Sequence, residues 1–337
     1  MNKTDKIRFG VIGTNFITDW VIAGGREDAR FELAAVYSRT EETARAFAAK
    51  HRIPHTFTSL EAMAESPLID AAYIASPNFL HARQSILMME HGKHVLCEKP
   101  LASNAREARR MIEAAQANGV VLMEAMKPTL TPGFRAVQEN LSRLGAIRRY
   151  FSSYCQYSSR YDKLKEGIVL NAFKPELSNG AIMDIGVYTI YPMVVLFGRP
   201  KAIHASGIRL YTGVDGQGGV NFEYESMNAT VLYSKIANSA LPTEIQGEEG
   251  NLTLDRINII SRITWTPRLG GGEEDLTPGH SLNEYYYEVA EFIDLILSGR
   301  KESAVNSLQN SLITLEILDE VRRQLGVVFP ADREDML

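Results

Sequence analysis

Over the first 125 residues, short apolar runs alternate with helical patterns, and glycines punctuate the joints. Such an alternation has few solutions. The strands pair in parallel and the helices cover both faces of the sheet. The pattern predicts strands over 7–12, 31–37, 71–75, 93–97 and 120–124, and helices over 15–23, 78–91 and 104–118. A further helix starts at Glu41-Glu42, where Thr40 supplies a capping hydroxyl and the two acids suit the first turn. Gly92 and Gly119 take the C-terminal stop positions. The result is a doubly wound α/β sheet, whose ligands sit outside the carboxyl ends of the strands.

The pattern breaks between Met126 and Gly133, where Pro128 and Pro132 interrupt it. Strand signals dominate afterwards, over 147–157, 202–211, 227–233 and 257–265, with glycine turns expected at 213–219 and 247–250. Two helices follow, near 283–297 and 307–325. The chain therefore divides into a dinucleotide-binding domain over 1–125 and an α+β domain with an antiparallel sheet over 126–337. A length of 337 residues accommodates two such domains.

Composition narrows the class of partner. The net charge of −5 gives no electrostatic reason to expect nucleic acid or an anionic membrane. Cys97 and Cys155 read as free thiols in a reducing compartment, and two cysteines build neither a disulfide framework nor a structural zinc site. Residues 1–6 are polar and carry no targeting pattern. The apolar stretch 181–197 contains Asp184 and Pro192, which fits a buried helix better than a membrane span. A cytoplasmic protein is the expectation.

The first strand runs into Gly13-Thr14-Asn15-Phe16-Ile17, a tight turn that opens a helix. Such a turn aims backbone N–H groups and the helix dipole at a pyrophosphate. The usual fingerprint has glycine where this chain has Asn15, and asparagine's tolerance of left-handed backbone would preserve the turn. NAD enzymes place a carboxylate at the end of the second strand, to bind the ribose 2′-hydroxyl. Here that strand ends Tyr37-Ser38-Arg39-Thr40. Arg39 can pair with a 2′-phosphate and Ser38 can donate a hydroxyl, so the residues favour NADP(H) over NAD(H). The plainer alternative is a solvated arginine beside a helix cap. Two more loops end strands on the same side: Ser76-Pro77-Asn78 with His81 one turn later, and Glu98-Lys99-Pro100. Both would line the cofactor crevice, although His81 could equally be a surface helix residue.

With these residues in view the chain resembles the Gfo/Idh/MocA oxidoreductases, and within them the dihydrodiol dehydrogenase and glucose–fructose oxidoreductase branch. The segments that carry the resemblance are 9–17, 75–81, Gly92 to Pro100 with its Glu98-Lys99-Pro100, and Asn179 to Tyr188. The resemblance implies a Rossmann domain joined to a domain with a large open sheet, through which members form dimers or tetramers. It implies sugar, polyol or dihydrodiol substrates and an often cis Lys99–Pro100 bond. It also implies that Asp184 and Tyr188 face the substrate above the nicotinamide, with Lys99 approaching from the Rossmann side. Asn15, and Ser178-Asn179 before the aspartate, depart from the common glycines.

Spacing four apart places Asp184 and Tyr188 on one helix face, with Tyr191 near it. A tyrosine ordinarily titrates near pH ~10, and a nearby ammonium stabilises the phenolate. Tyr188 would then exchange the substrate proton, Lys99 would assist it and hold the nicotinamide ribose, and Asp184 would orient Lys99 or the substrate. Glu98 would position its loop and touch the cofactor. Read without the resemblance, Lys99 is a surface turn residue and Asp184 and Tyr188 a buried hydrogen-bonded pair. Lys127, Arg160, Tyr161 and Asn171 are further pocket candidates, and Tyr285-Tyr286-Tyr287 reads as packing. The function expected is an NADP(H)-dependent oxidoreductase of sugar- or polyol-like substrates. Its alternatives are a cofactor-sensing regulator, an NAD-dependent inositol-type dehydrogenase, and an enzyme using bound cofactor as a transient hydride store.

Overall fold

The computed structural model describes residues 6–279 and 282–333. The chain forms two compact units, Met1–Lys127 with Ser281–Ser311, and Pro128–His280 with Leu312–Leu337. The first change of unit falls at the proline-marked break. The second was not anticipated: residues 281–311, which the contiguous two-domain division places in the second domain, pack with the first.

The first unit runs β1 (Ile7–Ile12), α1 (Phe16–Gly25), β2 (Phe31–Tyr37), α2 (Glu41–His51), β3 (His55–Phe57), α3 (Leu60–Glu65), β4 (Ala71–Ile74), α4 (His81–Glu90), β5 (His94–Glu98), α5 (Ala105–Asn118) and β6 (Leu122–Ala125). All six strands are parallel, in the order β3-β2-β1-β4-β5-β6. The order reverses between β1 and β4, the switch point at which doubly wound sheets bind ligands. β3 and α3 had no clear sequence signal, because a three-residue strand is too short for its side chains to show a period.

The second unit contains α6 (Pro132–Asn140), β7 (Ile147–Cys155), α7 (Ser159–Lys165), α8 (Val187–Phe197), β8 (Ala202–Arg209), β9 (Asp215–Glu223), β10 (Asn228–Ser234), β11 (Thr243–Gly247), β12 (Gly250–Leu254), β13 (Ile263–Pro267) and β14 (Glu274–Asp275). Its eight strands are ordered β14-β13-β12-β11-β7-β10-β9-β8. β7 and β10 run parallel and every other pair is antiparallel. The expected turn at 213–219 is mostly strand: Gly213 stays in the turn before β9, while Gly218 and Gly219 sit on β9, paired with β8 and β10. At Gly218 a Cβ would lie 2.3 Å from Tyr233 Oη, so the glycine makes room for a ring on the neighbouring strand. The strand expected over 257–265 begins only at Ile263.

Two helices complete the chain, α9 (Tyr286–Ser298) and α10 (Leu308–Leu325). α9 buries Val289, Phe292, Ile293 and Leu295, and the Phe292 ring lies 5.8 Å from that of Phe9 on β1. A Cβ on Gly24 would come within 2.7 Å of Tyr285, so α1 admits the start of this segment only because residue 24 has no side chain. Each fully buried apolar side chain of this kind contributes ~1.5–3 kcal/mol, which favours packing this segment with the first unit. The stretch Pro175–Phe197 is apolar and long enough by composition to cross a membrane, yet 72 % of that window is buried within the protein.

Candidate active site

Three strand ends of the first unit meet at the switch point. Gly13 has φ +115°, and a Cβ there would stand 2.5 Å from the Ala75 carbonyl oxygen, so the chain crosses at this point only as glycine. Asn15 corrects the expectation drawn for it. Its backbone is extended, with φ −95°, rather than left-handed. The side chain replaces the missing glycine by bonding instead of by conformation. Its Oδ1 accepts from Ile17 N at 2.9 Å and Thr18 N at 3.3 Å, capping α1, while its Nδ2 donates to Ala75 O at 2.8 Å. Asn15 therefore ties the nucleotide turn to the loop after β4. Thr14 lies in the turn; Phe16 and Ile17 open the helix, Phe16 being exposed with its ring 5.0 Å from that of Trp20.

At the end of β2, Ser38 is half-buried and Arg39 exposed. Thr40 caps α2 as expected, accepting from Thr43 N. Arg39 makes no ion pair with any described residue. Gly13's closed cradle and this uncommitted guanidinium both fit a dinucleotide carrying a 2′-phosphate.

His81 is 1 % exposed, not a surface residue. Its Nε2 lies 2.9 Å from Ser76 O and its Nδ1 3.0 Å from Pro100 O. The ring thus bridges the loop carrying Ser76, Pro77 and Asn78 to the Lys99–Pro100 bond, which is cis. Burial lowers its pKa, and the Lys99 charge lowers it further, while the two carbonyls pull the other way. Ser76 Oγ donates to Gln84 Oε1 at 2.7 Å, fixing the same loop.

Beneath Lys99, itself half-buried, lies a cluster of carboxyls the sequence did not reveal. Tyr73 Oη donates to Glu98 Oε1 at 2.6 Å. Glu124 Oε1 accepts from Leu101 N at 2.9 Å. Burial raises the Glu98 carboxyl and pushes Glu124 up to about 7. Glu288 on α9 is fully buried, with neither carboxyl oxygen bonded, and burial with the Glu98 charge holds it well above the carboxylate range. Lys127, another pocket candidate, is buried in this unit and pairs with Glu284 at 2.7 Å, its ammonium 4.4 Å from the Tyr285 ring centroid. Tyr285 is packing, as expected, with Trp20 at 6.0 Å.

In the second unit the helix of Asp184 and Tyr188 opens with a π turn, Ile182–Gly186, before α8. Such turns carry one extra residue and recur at functional sites. Asp215 holds the turn: its Oδ1 accepts from Ala181 N at 3.1 Å and its Oδ2 from Ile182 N at 2.7 Å. Burial raises Asp215 to about 6. Gly180 must be glycine, since its φ is +149° and a Cβ would meet Asp215 Oδ1 at 2.3 Å. Ser178, in place of a common glycine, adopts left-handed backbone at φ +55°.

Asp184 and Tyr188 are half-buried, whereas every other residue from Gly180 to Val194 is buried. Tyr191, placed near their face by spacing, is fully buried and belongs to the core. The Tyr188 ring stands edge-on to Tyr154 at 5.7 Å. Asp184 pairs with Lys235, a residue the sequence reading missed. Of the remaining candidates, Tyr161 packs on Phe173 at 6.0 Å, Arg160 is exposed, and Asn171 accepts at its carbonyl from Asn179 Nδ2 at 2.8 Å. Cys97 and Cys155 are both free.

Residues 7–126 match the GFO/IDH/MocA oxidoreductase family with its NAD-binding Rossmann fold, and residues 135–253 match the C-terminal domain of the same family. The chain belongs to the GFO/IDH/MocA family. It is 51 % identical to the scyllo-inositol 2-dehydrogenase (NADP(+)) IolU of Bacillus subtilis, over 97 % of this chain and 99 % of that protein. It is 31 % identical to the trans-1,2-dihydrobenzene-1,2-diol dehydrogenase of Danio rerio, over 97 % and 99 % respectively. Its fold is shared with the aldose-aldose oxidoreductase of Caulobacter crescentus at a TM-score of 0.83, covering 95 % of this chain and 98 % of the other at 20 % identity. Like other members of the family, this chain is an oxidoreductase built on a dinucleotide-binding Rossmann unit.

Proposed function

We propose that the protein is an NADP(H)-dependent dehydrogenase of cyclic polyols, with an inositol as its first substrate to test. The observation that carries this reading is the 51 % identity, end to end, with an NADP(+)-dependent scyllo-inositol 2-dehydrogenase. Arg39 at the end of β2 supports the same cofactor on physical grounds, because its planar donors match a 2′-phosphate. Relative to the sequence expectation, the inositol substrate moves forward while the NADP preference is kept.

The nicotinamide supplies or takes the hydride when bound. The protein's own task is to hold the dinucleotide and handle one proton. Gly13, Thr14, Asn15, Phe16 and Ile17 form the pyrophosphate turn. Ser38 and Arg39 hold the 2′-phosphate. Ser76, Pro77, Asn78 and Glu98 line the crevice beside the switch point, with His81 fixing two of its loops from below. Lys99 and Tyr188 handle the proton of the reacting hydroxyl, and Asp184 accepts from a substrate hydroxyl. The free thiols and mild negative charge fit work in the cytoplasm, without a nucleic-acid or membrane partner. The large open sheet of the second unit would join copies into a dimer or tetramer.

The test is a fluorescence titration with NADPH and, separately, NADH, followed by turnover of scyllo-inositol with the preferred cofactor. Tighter NADPH binding that weakens by about 10²-fold in Arg39→Asp supports the reading, given that a buried or bidentate arginine–phosphate contact is worth ~2–3 kcal/mol. Tighter NADH binding would overturn the cofactor assignment, and NADPH binding without turnover of any cyclic polyol would overturn the substrate class.

A further inference from the structure

Lys235 immediately follows β10, with its backbone N–H on Gly216 O at 2.9 Å. Its residue surface is 2 % exposed. The ammonium pairs with the Asp184 carboxylate and lies 5.8 Å from the centroid of the Phe173 ring. A buried ammonium is costly unless an anion and good geometry accompany it. Here the anion is not buried with it: the Asp184 side chain remains 38 % exposed. The pair is asymmetric, a cation sealed in the protein beneath a carboxylate that reaches the surface.

We propose that Lys235 is a positioning residue for Asp184 and Tyr188. It holds the Asp184 carboxylate ionised and oriented toward a substrate hydroxyl, and it offsets that carboxylate's field on the Tyr188 phenol. The inference rests on the proposed function and names the chemistry this half of the site reads. An ionised carboxylate only accepts hydrogen bonds, so it selects a substrate that presents hydroxyl donors. A neutral polyol fits. An anionic sugar does not, because Lys235 is too deeply buried to reach it and its charge is already engaged by Asp184.

The phenol supplies the second half of the argument. An uncompensated carboxylate four residues from Tyr188 would oppose phenolate formation, which a proton-accepting tyrosine requires. The Lys235 ammonium, paired with that carboxylate, offsets this opposition. The strands packed against the π turn also carry Asp215 and Glu223 on β9, Tyr233 on β10, and Arg148, Arg149, Tyr150, Tyr154 and Cys155 on β7. The two arginines are exposed and engaged elsewhere, Arg148 by Glu248 and Arg149 by Asn228, so the compensation of Asp184 falls to Lys235.

The experiment compares Lys235→Met, Lys235→Arg, Asp184→Asn and the Asp184→Asn/Lys235→Met double variant. The readouts are the pH profile of kcat/KM for scyllo-inositol with NADP+, and the ¹³C titration of the Asp184 carboxyl, assigned by its loss in Asp184→Asn. Lys235→Met is expected to lower kcat/KM by about 100-fold, the cost of a misplaced substrate-orienting group. It should raise the Asp184 midpoint, move the acid limb of the profile to higher pH by the same interval, and leave NADPH affinity unchanged. Lys235→Arg should restore most of the activity and the profile. In the double variant the losses should not add, because both changes remove one unit.

Activity of Lys235→Met within about twofold of the parent, an unmoved Asp184 midpoint, or additive losses would overturn the proposal. If Lys235→Met fails to fold, the double variant against Asp184→Asn decides it, since removing both charges avoids leaving a lone one buried. If the parent turns over no cyclic polyol, the functional reading fails, and the carboxyl titration alone still decides the role of Lys235.

Discussion

His81 Nδ1 stands 3.0 Å from the carbonyl oxygen of Pro100, and the opposite nitrogen of the same buried ring stands 2.9 Å from Ser76 O. One imidazole therefore joins the two loops that flank the switch point. A neutral ring donates to only one of two carbonyls. His81→Ala removes that donor and leaves a carbonyl unpaired in a buried place, which costs ~1–3 kcal/mol. The expected outcome is a lower denaturant midpoint together with weaker NADPH binding. Loss of stability with unchanged NADPH affinity would show that the bridge does not support the cofactor loops.

Gly13→Ala tests the turn itself. The new Cβ meets a backbone oxygen at 2.5 Å, in a backbone conformation that side chains rarely adopt. Strain and overpacking of this kind cost ~1–3 kcal/mol each. NADPH affinity should fall by more than about tenfold, because the backbone must shift where the pyrophosphate approaches. Isothermal titration with unaltered affinity would refute the placement.

Glu124 predicts a pH dependence of stability. Its folded pKa, about 7, lies above the 4.5 of an unperturbed glutamate. Between those values the native state holds a proton that the unfolded chain has released. The contribution is fully present below pH 4.5 and declines as pH rises through 7, by up to about 3 kcal/mol. Glu124→Gln keeps an acceptor for Leu101 N and removes the titration. Chemical denaturation should find the variant close to the parent at pH 4.5 and more stable at pH 8; equal pH profiles would contradict this.

His94 acts with the opposite sign. Its Nδ1 accepts from Val121 N at 2.9 Å, and burial, with the Lys301 charge, lowers its pKa to about 4 from 6.5. Between those values the unfolded chain takes up a proton that the folded ring refuses. Stability therefore falls as pH drops from 6.5 toward 4, by up to about 3 kcal/mol, and levels off below. His94→Gln can still accept from Val121 N and should flatten this part of the denaturation profile. A slope that persists in the variant would assign it to another group.

Lys99→Ala and Tyr188→Phe separate binding from chemistry. Both variants should retain NADPH binding within about threefold while losing turnover by about 10²–10⁴-fold, the range attributed to a positioned proton donor or acceptor. Stopped-flow measurement of hydride transfer is the check. Undiminished single-turnover rates in either variant would remove that residue from the reaction.

The sequence alone determined the parallel sheet, the nucleotide turn and the change of architecture near Pro128. Each is written locally, in the period of apolar residues, a helix-capping Thr40, and the prolines that break the pattern. It also singled out Gly13 and Arg39, through the turn motif and the chemistry of a 2′-phosphate, whereas Lys99, Asp184 and Tyr188 stood out only through the resemblance to a known family. Tertiary structure decided what spacing does not encode. Glu98, Glu124 and Glu288 come together beneath Lys99 from β5, β6 and α9, because α9 finds its apolar partners on the first sheet although it lies more than 150 residues away in the chain. Asn15 works through its side-chain amide rather than its backbone, since Ala75 O happens to lie within reach across the switch point. Lys235 meets Asp184 only because β10 ends beside the π turn. An isolated lysine after a strand reads as a solvated residue; burial against Phe173 and a carboxylate is a property of the packed neighbours, and no local pattern records it.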